Sequence, residues 1–415
     1  MSGECKASIW QVLKPSEWPK VPVWMSFSTL LELESCPRRW ALSAAEYPGI
    51  WDRRGYPRPL HPVALEGMIV HLALQRITSA FAKRGCSSLA DKRAIATLRE
   101  LGGYTAIILD CLERTLARYE KNPRVVAALS GIRQRLTYRV PDLRSRVQRF
   151  LSRIRPESDT VHKEYDICHQ ATHRRELSLG CHTEVELRAD GLKWLGVVDL
   201  LTLSTGICEI RDFKTGMPKE EHEFQLRIYA LLWSLDHVSN PTGRLADKLV
   251  ISYDEGDIEI EPPNEKDIRI LEDELRERTK TALAALGNNP PEARLARKNC
   301  ESCIVWHLCD EYWEWNSWAN QNEGLFKNQF VDLQVRLTGS HGPHSWDGVL
   351  ESPSYPNAMK PILLRTGGLS FDLRPGQRVR VLDVLITVPN EESIEDKYAP
   401  VVATMGANSE MFLLP

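Results

Sequence analysis

Apolar residues recur at helical spacing through the first part of the chain. From Phe27 to Leu42 they fall at Leu30, Leu31, Leu33 and Trp40, with Ser26 or Ser28 placed as an N-cap, which predicts a helix that Cys36-Pro37 interrupts. A proline-rich loop follows (Pro48, Pro57, Pro59, Pro62), and the pattern then predicts a strong amphipathic helix from about Val63 to Lys83, with His71 inside it. Helical spacing resumes from Leu89 to about Arg155. Breaks at Gly102-Gly103, Asn122-Pro123 and Pro141 divide that stretch into several helices forming one insertion, about residues 88–157.

Between about His162 and Phe213 the period shortens to that of strands. Val185-Glu186-Leu187, Val197 to Leu203 and Ile207 to Phe213 are separated by turns at Asp190-Gly191 and Thr205-Gly206, which predicts a meander. A helix from about Glu220 to Ser234 comes next, then a hairpin (Leu249 to Tyr253, Ile258 to Ile260, turning at Glu255-Gly256) and a charged helix from Glu265 to Leu286. This core is α/β. Beyond the Asn289-Pro290-Pro291 joint, and from about Gln329, the texture is all-β: Val331 to Leu337, Ile362 to Arg365, Gln377 to Ile386 and Met411 to Leu414, with a turn at Arg374-Pro375-Gly376. We expect a core domain over residues 1–320 and a small β-barrel over residues 326–415.

Composition narrows the setting. The 415 residues carry a formal charge of -3, with pI near 6.4, so there is no whole-chain basic signature and any nucleic-acid contact must rest on local patches. No apolar run reaches the roughly 18 residues a membrane span needs. The segment from Met1 to Trp10 is too short and polar for a signal-peptide core, so a cytoplasmic location is expected. In that compartment ten cysteines argue for metal binding where they cluster, not for a disulfide framework. Three cluster as Cys300-x2-Cys303-x5-Cys309; the scattered Cys5, Cys86, Cys111, Cys168, Cys181 and Cys208 read as buried small residues. Spacing alone fits zinc as well as an iron-sulfur cluster. Trp306, Tyr312, Trp313 and Trp315 near the last cysteines read as packing.

Asp199 lies in Gly196-Val197-Val198-Asp199-Leu200-Leu201, where the flanking residues would bury a strand on both sides, and a charge there needs a partner or a metal. The next strand ends in Arg211-Asp212-Phe213-Lys214-Thr215-Gly216, whose alternation puts Asp212 and Lys214 on one face. Two carboxylates on adjacent strands supply hard oxygen ligands for Mg²⁺ or Mn²⁺, and a lysine two residues along can stabilise charge on a phosphate. An isolated Asp-x-Lys is commonly an ordinary same-face ion pair, so context decides. Gln225 and Tyr229 lie one turn apart on the following helix, and Gly67-x-x-x-His71 has the same spacing upstream. A lone helical histidine is usually structural.

The order Ser-x-Ser, Cys-Pro, Gly-x-x-x-His, Gly-x-x-Asp, Asp-x-Lys-Thr-Gly, Gln-Leu-x-x-Tyr and Cys-x2-Cys-x5-Cys, from about Ser26 to Cys309, resembles the PD-(D/E)XK superfamily. Within it, the chain resembles the RecB-like branch with an iron-sulfur staple, which includes AddB and the CRISPR-adaptation exonucleases. The resemblance implies a restriction-endonuclease-like core in which His71, Asp199, Asp212 and the main-chain carbonyl of Phe213 hold the metal. It implies that Lys214 is the catalytic lysine, with Gln225 and Tyr229 positioning substrate or the lysine. Cys36, followed by proline as in the family, becomes the fourth ligand beside Cys300, Cys303 and Cys309, and the staple becomes a [4Fe-4S] cluster instead of Zn²⁺. Arg211 departs from the apolar residue usual before the aspartate and is expected to contact DNA or lie at an exposed edge.

Two further regions suggest DNA as partner. Arg133 to Arg155 holds eight arginines and one acid, Asp142, so Arg133, Arg135, Arg139, Arg144, Arg146 and Arg149 are candidate phosphate contacts. The stretch from Phe371 to Val381 resembles a strand entry of an OB-type barrel, a fold that often binds single strands, with Arg365, Arg374, Arg378 and Arg380 modestly favouring that use. The expected activity is metal-dependent hydrolysis of DNA, single-stranded or at ends, in repair, recombination or defence against foreign DNA. The alternative is a non-cleaving DNA-binding or assembly subunit of a helicase-nuclease complex. The chain has no G-x-x-x-x-G-K-[ST] loop, so a motor would be a partner.

Overall fold

The computed structural model describes residues 10–51, 54–86, 88–155, 174–314, 329–352, 361–367, 371–387 and 400–415. Cys5, Cys168 and Trp315 lie outside the described residues. In chain order the elements are β1 (Trp10–Gln11), α1 (Phe27–Ser35), α2 (Pro37–Ala44), α3 (Pro62–Lys83), α4 (Lys92–Glu100), α5 (Gly103–Ala117), α6 (Leu129–Tyr138) and α7 (Val140–Leu151). Next come β2 (Gly180–Ala189), β3 (Trp194–Ser204), β4 (Ile207–Lys214), α8 (Glu220–Leu235), β5 (Lys248–Tyr253), β6 (Asp257–Ile260) and α9 (Glu265–Leu286). The remainder is α10 (Arg297–Cys300), α11 (Asp310–Glu314), β7 (Gln329–Gly342), β8 (Ser345–Ser352), β9 (Pro361–Arg365), β10 (Arg378–Thr387) and β11 (Val401–Leu413). No helix among the described residues is long and apolar enough to cross a membrane.

Local chemistry sets these boundaries. Ser26 Oγ accepts from the Thr29 N–H at 3.2 Å and so caps α1. Pro37 opens α2, where an N–H would have no intrahelical acceptor and its absence from proline costs nothing, with Cys36 at the N-cap. The Asn264 side chain accepts from the N–H groups of Lys266 and Asp267 while Asp267 returns a bond to the Asn264 N–H, a full capping box for α9.

The chain packs into two compact units, one of Lys20–Glu34 and Pro57–Gly287, the other of Met1–Pro19, Ser35–Tyr56 and Asn288–Pro415. The first, the sheet unit, has five strands in the order β2-β3-β4-β5-β6. Strands β2, β3 and β4 form an antiparallel meander, β5 joins β4 in parallel, and β6 pairs back on β5. The crossover that parallel pairing requires is α8, which packs across β2 to β5. Helices α3, α5 and α7 build the opposite layer, where Leu65, Ile69, Val70, Leu74, Ile107 and Phe150 bury against Leu200 and Phe213 of the sheet. Period-2 alternation therefore turns Phe213 to this helical layer and its neighbours Asp212 and Lys214 to the α8 side.

The second, the barrel unit, closes five strands: β10-β7-β8-β9-β11, with β11 pairing back on β10. The β9–β11 contact is parallel and the others are antiparallel. Val335, Leu364, Val379, Val381, Val384, Ile386 and Ala403 fill the interior. Two strands escaped the sequence reading. Strand β8 is rich in serine, aspartate and glycine; a Cβ on Gly348 would stand 2.6 Å from Val335 Cγ1 and 2.9 Å from the Arg336 carbonyl, so close strand approach replaces side-chain packing there. Strand β1 pairs Trp10 with Phe412 in parallel, a long-range contact with no local signal.

Two arginines correct the sequence expectations. Arg211 is neither at an edge nor free for DNA: it is 5% exposed, ion-paired to Glu209 at 2.9 Å and Asp257 at 2.5 Å, and donates to Ser252 Oγ at 2.7 Å. Its strand is flanked on both sides, so the polar side chain survives burial only by being saturated. Arg380 is likewise buried, donating to the His307 carbonyl at 2.6 Å and pairing with Asp310 at 3.2 Å.

Candidate active site

Asp199 projects from β3, and Asp212 and Lys214 from β4. The β3–β4 register pairs Leu200 with Arg211, so one step further brings Asp199 level with Asp212. The β2–β3 register pairs Thr183 with Leu200 and Val185 with Val198, which sets Glu184 level with Asp199. Glu184, Asp199 and Asp212 thus form a row of carboxylates on one face of three neighbouring strands. Glu184 also has φ 51°, the left-handed region that a non-glycine residue seldom adopts. The sequence reading missed Glu184; counting the hairpin back from its Asp190-Gly191 turn would have found it.

Helix α3 brings His71 to this row, with Nδ1 3.4 Å from Asp199 Oδ1. The other oxygen of Asp199 accepts from the Phe213 N–H at 2.7 Å, which fixes the carboxylate to the β4 backbone. Lys214 Nζ lies 2.7 Å from Asp212 Oδ2 and donates to Gln225 Oε1 at 2.7 Å; Gln225 Nε2 donates to Tyr229 OH at 2.7 Å. All seven residues of the resemblance-derived catalytic and metal set therefore belong to one connected cluster, reached from α3, β3, β4 and α8.

Two glycines explain how the helices come so close. A Cβ on Gly67 would lie 2.7 Å from Thr215 Oγ1, so the small residue one turn before His71 admits the turn that follows Lys214. A Cβ on Gly196 would lie 2.8 Å from Tyr229 Cε1 and 2.9 Å from Leu232 Cδ1, so this glycine seats α8 on β3. Arg146 ties the same turn from α7, donating to the Thr215 carbonyl at 2.9 Å.

The electrostatics are those of an anionic site short of positive charge. Asp212 is 3% exposed, and burial, then the Asp199 charge, push its pKa up to about 6 against the pull of Lys214. Loss of hydration and the Asp199 charge raise Glu184 as well. Burial would lower His71, but its hydrogen bond and charge interaction with Asp199, with the Asp212 charge, outweigh that and raise it. Burial dominates the upward shift of Tyr229, which stays a neutral phenol. Although Lys214 is close, it meets Asp212 Oδ2 outside hydrogen-bond geometry, so that buried oxygen has no aligned donor.

Hard carboxylate oxygens with one imidazole fit a divalent ion of the Mg²⁺ or Mn²⁺ kind, and the unsatisfied Asp212 oxygen is the deficit a cation would relieve. Among the described residues, no three or more His, Cys, Asp or Glu side chains are gathered into a group able to hold a metal ion; the donors stand in a row instead.

The arginines of the helical insertion are mostly engaged. Arg133 pairs with Glu113 at 3.0 Å, Arg139 with Glu66 at 3.3 Å and Asp142 at 2.7 Å, Arg146 with Asp254 at 2.7 Å, and Arg149 with Asp254 at 3.6 Å. Arg135 and Arg144 are exposed. Apart from Asp142, which lies on α7 itself, the acids come from other elements, which a count along α6 and α7 does not reveal.

In the barrel unit Cys36, Cys300, Cys303 and Cys309 line one cavity together with Arg38, Arg39 and Arg294. Cys36 Sγ accepts from the Arg294 N–H at 3.4 Å, and Cys309 Sγ donates to Glu311 Oε2 at 3.5 Å, a carboxylate that Arg38 holds at 2.5 Å. Burial pushes the Cys303 and Cys309 thiols up to about 12. The other described cysteines, Cys86, Cys111, Cys181 and Cys208, are buried singly. Tyr312 and Trp313 are packed in a core with Leu42, Tyr56, Val305 and Phe412, and Trp306 lies against it.

No curated protein matches the sequence. Among solved structures, one described as the crystal structure of SSO0001 is similar at 23% identity, covering 32% of this chain and 61% of that one with a TM-score of 0.21; the chain thus spans less than two thirds of that structure. The family model of the PD-(D/E)XK nuclease superfamily matches residues 24–310, the stretch that carries every residue of the site just described. On that match the chain belongs to the PD-(D/E)XK nuclease superfamily.

Proposed function

We propose that the chain is a metal-dependent nuclease that hydrolyses phosphodiester bonds of DNA. The observation that carries this reading is the carboxylate row of Asp199 and Asp212 with Lys214 poised beside it. His71, Asp199, Asp212 and the Phe213 carbonyl would hold Mg²⁺ or Mn²⁺, which when bound supplies a Lewis acid for the phosphate and an acidified water. Lys214 places its ammonium against the phosphate, where charge grows as the bond breaks. Gln225 accepts one of its hydrogens and aims it, and Tyr229 holds Gln225 in turn. Mg²⁺- or Mn²⁺-dependent cleavage should be lost in Asp212→Ala and Lys214→Ala; unchanged cleavage in both would sink the site. Tight DNA binding without cleavage in any metal would favour the non-cleaving assembly subunit.

In this reading the nuclease part spans residues 1–320 and residues 326–415 form an OB-like barrel. The strand order β7-β8-β9-β11-β10, closing on β7 with one parallel pair, supports the latter. Cys36, Cys300, Cys303 and Cys309 would hold a [4Fe-4S] cluster, supported by their shared cavity; binding must displace thiol protons, so it strengthens as pH rises. Iron and zinc analysis of anaerobically purified protein separates cluster from zinc.

A further inference from the structure

The polar face of α8 continues past Lys214. The β4–β5 register sets Tyr253 level with Lys214, and there Tyr253 OH lies 2.8 Å from His222 Nδ1. On α8, His222, Gln225 and Tyr229 stand at i, i+3 and i+7, the face that already meets the lysine. A phenol readily donates its hydrogen to a neutral imidazole nitrogen, and with Tyr253 OH as the donor to His222 Nδ1 the ring carries its own hydrogen on Nε2. Burial, followed by the charges of Lys214 and Lys219 and opposed by Glu221, lowers the imidazole's pKa and keeps the ring neutral. Tyr253 is itself 3% exposed and anchored from the turn after α7, where Arg153 donates to its carbonyl at 2.6 Å.

The result is a half-buried neutral N–H donor, oriented by a buried phenol, one strand out from the ammonium. A neutral donor suits an anionic phosphate oxygen without adding a charge that would repel Lys214. We infer that His222 binds a phosphate oxygen of the substrate strand through Nε2–H, with Tyr253 as the residue that positions it. This rests on the nuclease reading.

The test measures binding of a single-stranded oligonucleotide with chelator present, and cleavage kinetics in Mg²⁺ or Mn²⁺, for wild type, His222→Ala and His222→Gln. Loss of one hydrogen bond to a charged acceptor should weaken binding on the order of 10- to 100-fold in His222→Ala and raise KM with kcat nearly kept. His222→Gln, whose amide reaches the Nε2 position, should stay close to wild type. Uncharged methylphosphonates, placed one at a time beside the scissile bond, should weaken wild type at one position and cost His222→Ala nothing further there. If His222→Ala fails to fold, His222→Gln and Tyr253→Phe with the same scan decide the matter. Cleavage by wild type with equal binding, and equal methylphosphonate penalties, across the variants overturns this inference and leaves the nuclease reading standing. A wild type that neither binds nor cleaves DNA overturns both.

Discussion

Replacing Asp212 by asparagine should stabilise the metal-free fold while removing activity. The carboxyl is 3% exposed, and burial together with the Asp199 charge carries its pKa from 3.8 to about 6. An acid whose pKa rises on folding binds more protons folded than unfolded between those two values, so stability falls as pH climbs from about 4 to about 6. That interval corresponds to about 3 kcal/mol at neutral pH, an upper bound because the site relaxes and the carboxylates titrate together. Asparagine keeps the shape of the protonated acid at every pH, and Lys214 retains Gln225. Denaturant unfolding of both proteins with chelator present, from pH 4 to 8, should give stabilities that coincide near pH 4 and separate through pH 6, with the variant higher. Added Mn²⁺ should then raise the wild type alone. A variant equal to or less stable than wild type at pH 7.5, or a gap that does not change with pH, refutes the reasoning.

Four other substitutions probe neighbouring links. Glu184→Gln removes a like charge level with Asp199, so with chelator it should raise the melting temperature at pH 8 and lose that advantage in high salt. Gly196→Ala must push Tyr229 and Leu232 aside, costing about 1–3 kcal/mol by denaturant unfolding and lowering kcat through the displaced Gln225. Arg211→Met removes the buried guanidinium shared by Glu209, Ser252 and Asp257, leaving Asp257 only its pair with Arg153, and should cost about 3 kcal/mol in the same assay, with oligonucleotide affinity unchanged. Cys36→Ser should lower the metal content of anaerobically purified protein; wild-type content retained in full would remove Cys36 from the ligand set.

Elements with a strong period were legible in the sequence. The helix predicted from Glu265 to Leu286 has those bounds, and the one from about Val63 to Lys83 begins one residue earlier, at Pro62. Alternation along Arg211 to Lys214 was enough to put Asp212 and Lys214 on one face, but it said nothing of how deep Arg211 would sit, because burial of a polar residue depends on partners such as Asp257 from another strand. Glu184 was hidden for a related reason: its place beside Asp199 is a property of register, and a stretch of Cys, His, Thr and Glu looks like a solvent face until the hairpin is counted. The insertion arginines looked unopposed in sequence since Glu66, Glu113 and Asp254 are supplied by other helices and a loop.

The sheet unit is spliced into the barrel unit, whose pieces come from Met1–Pro19, Ser35–Tyr56 and Asn288–Pro415. On a ribosome this connectivity imposes a schedule. At roughly 5–20 residues per second, some tens of seconds separate emergence of Cys36 from that of Cys300, and longer still separates Trp10 from Phe412, its β1–β11 partner. The sheet unit has all its strands and helices by Gly287 and can fold early, while Cys36 must wait as a reduced thiol for partners not yet made. Assembly of the cysteine cavity is therefore a late event that must follow synthesis of Cys309, and the nascent chain passes through a stage in which the sheet unit is complete and the barrel does not yet exist.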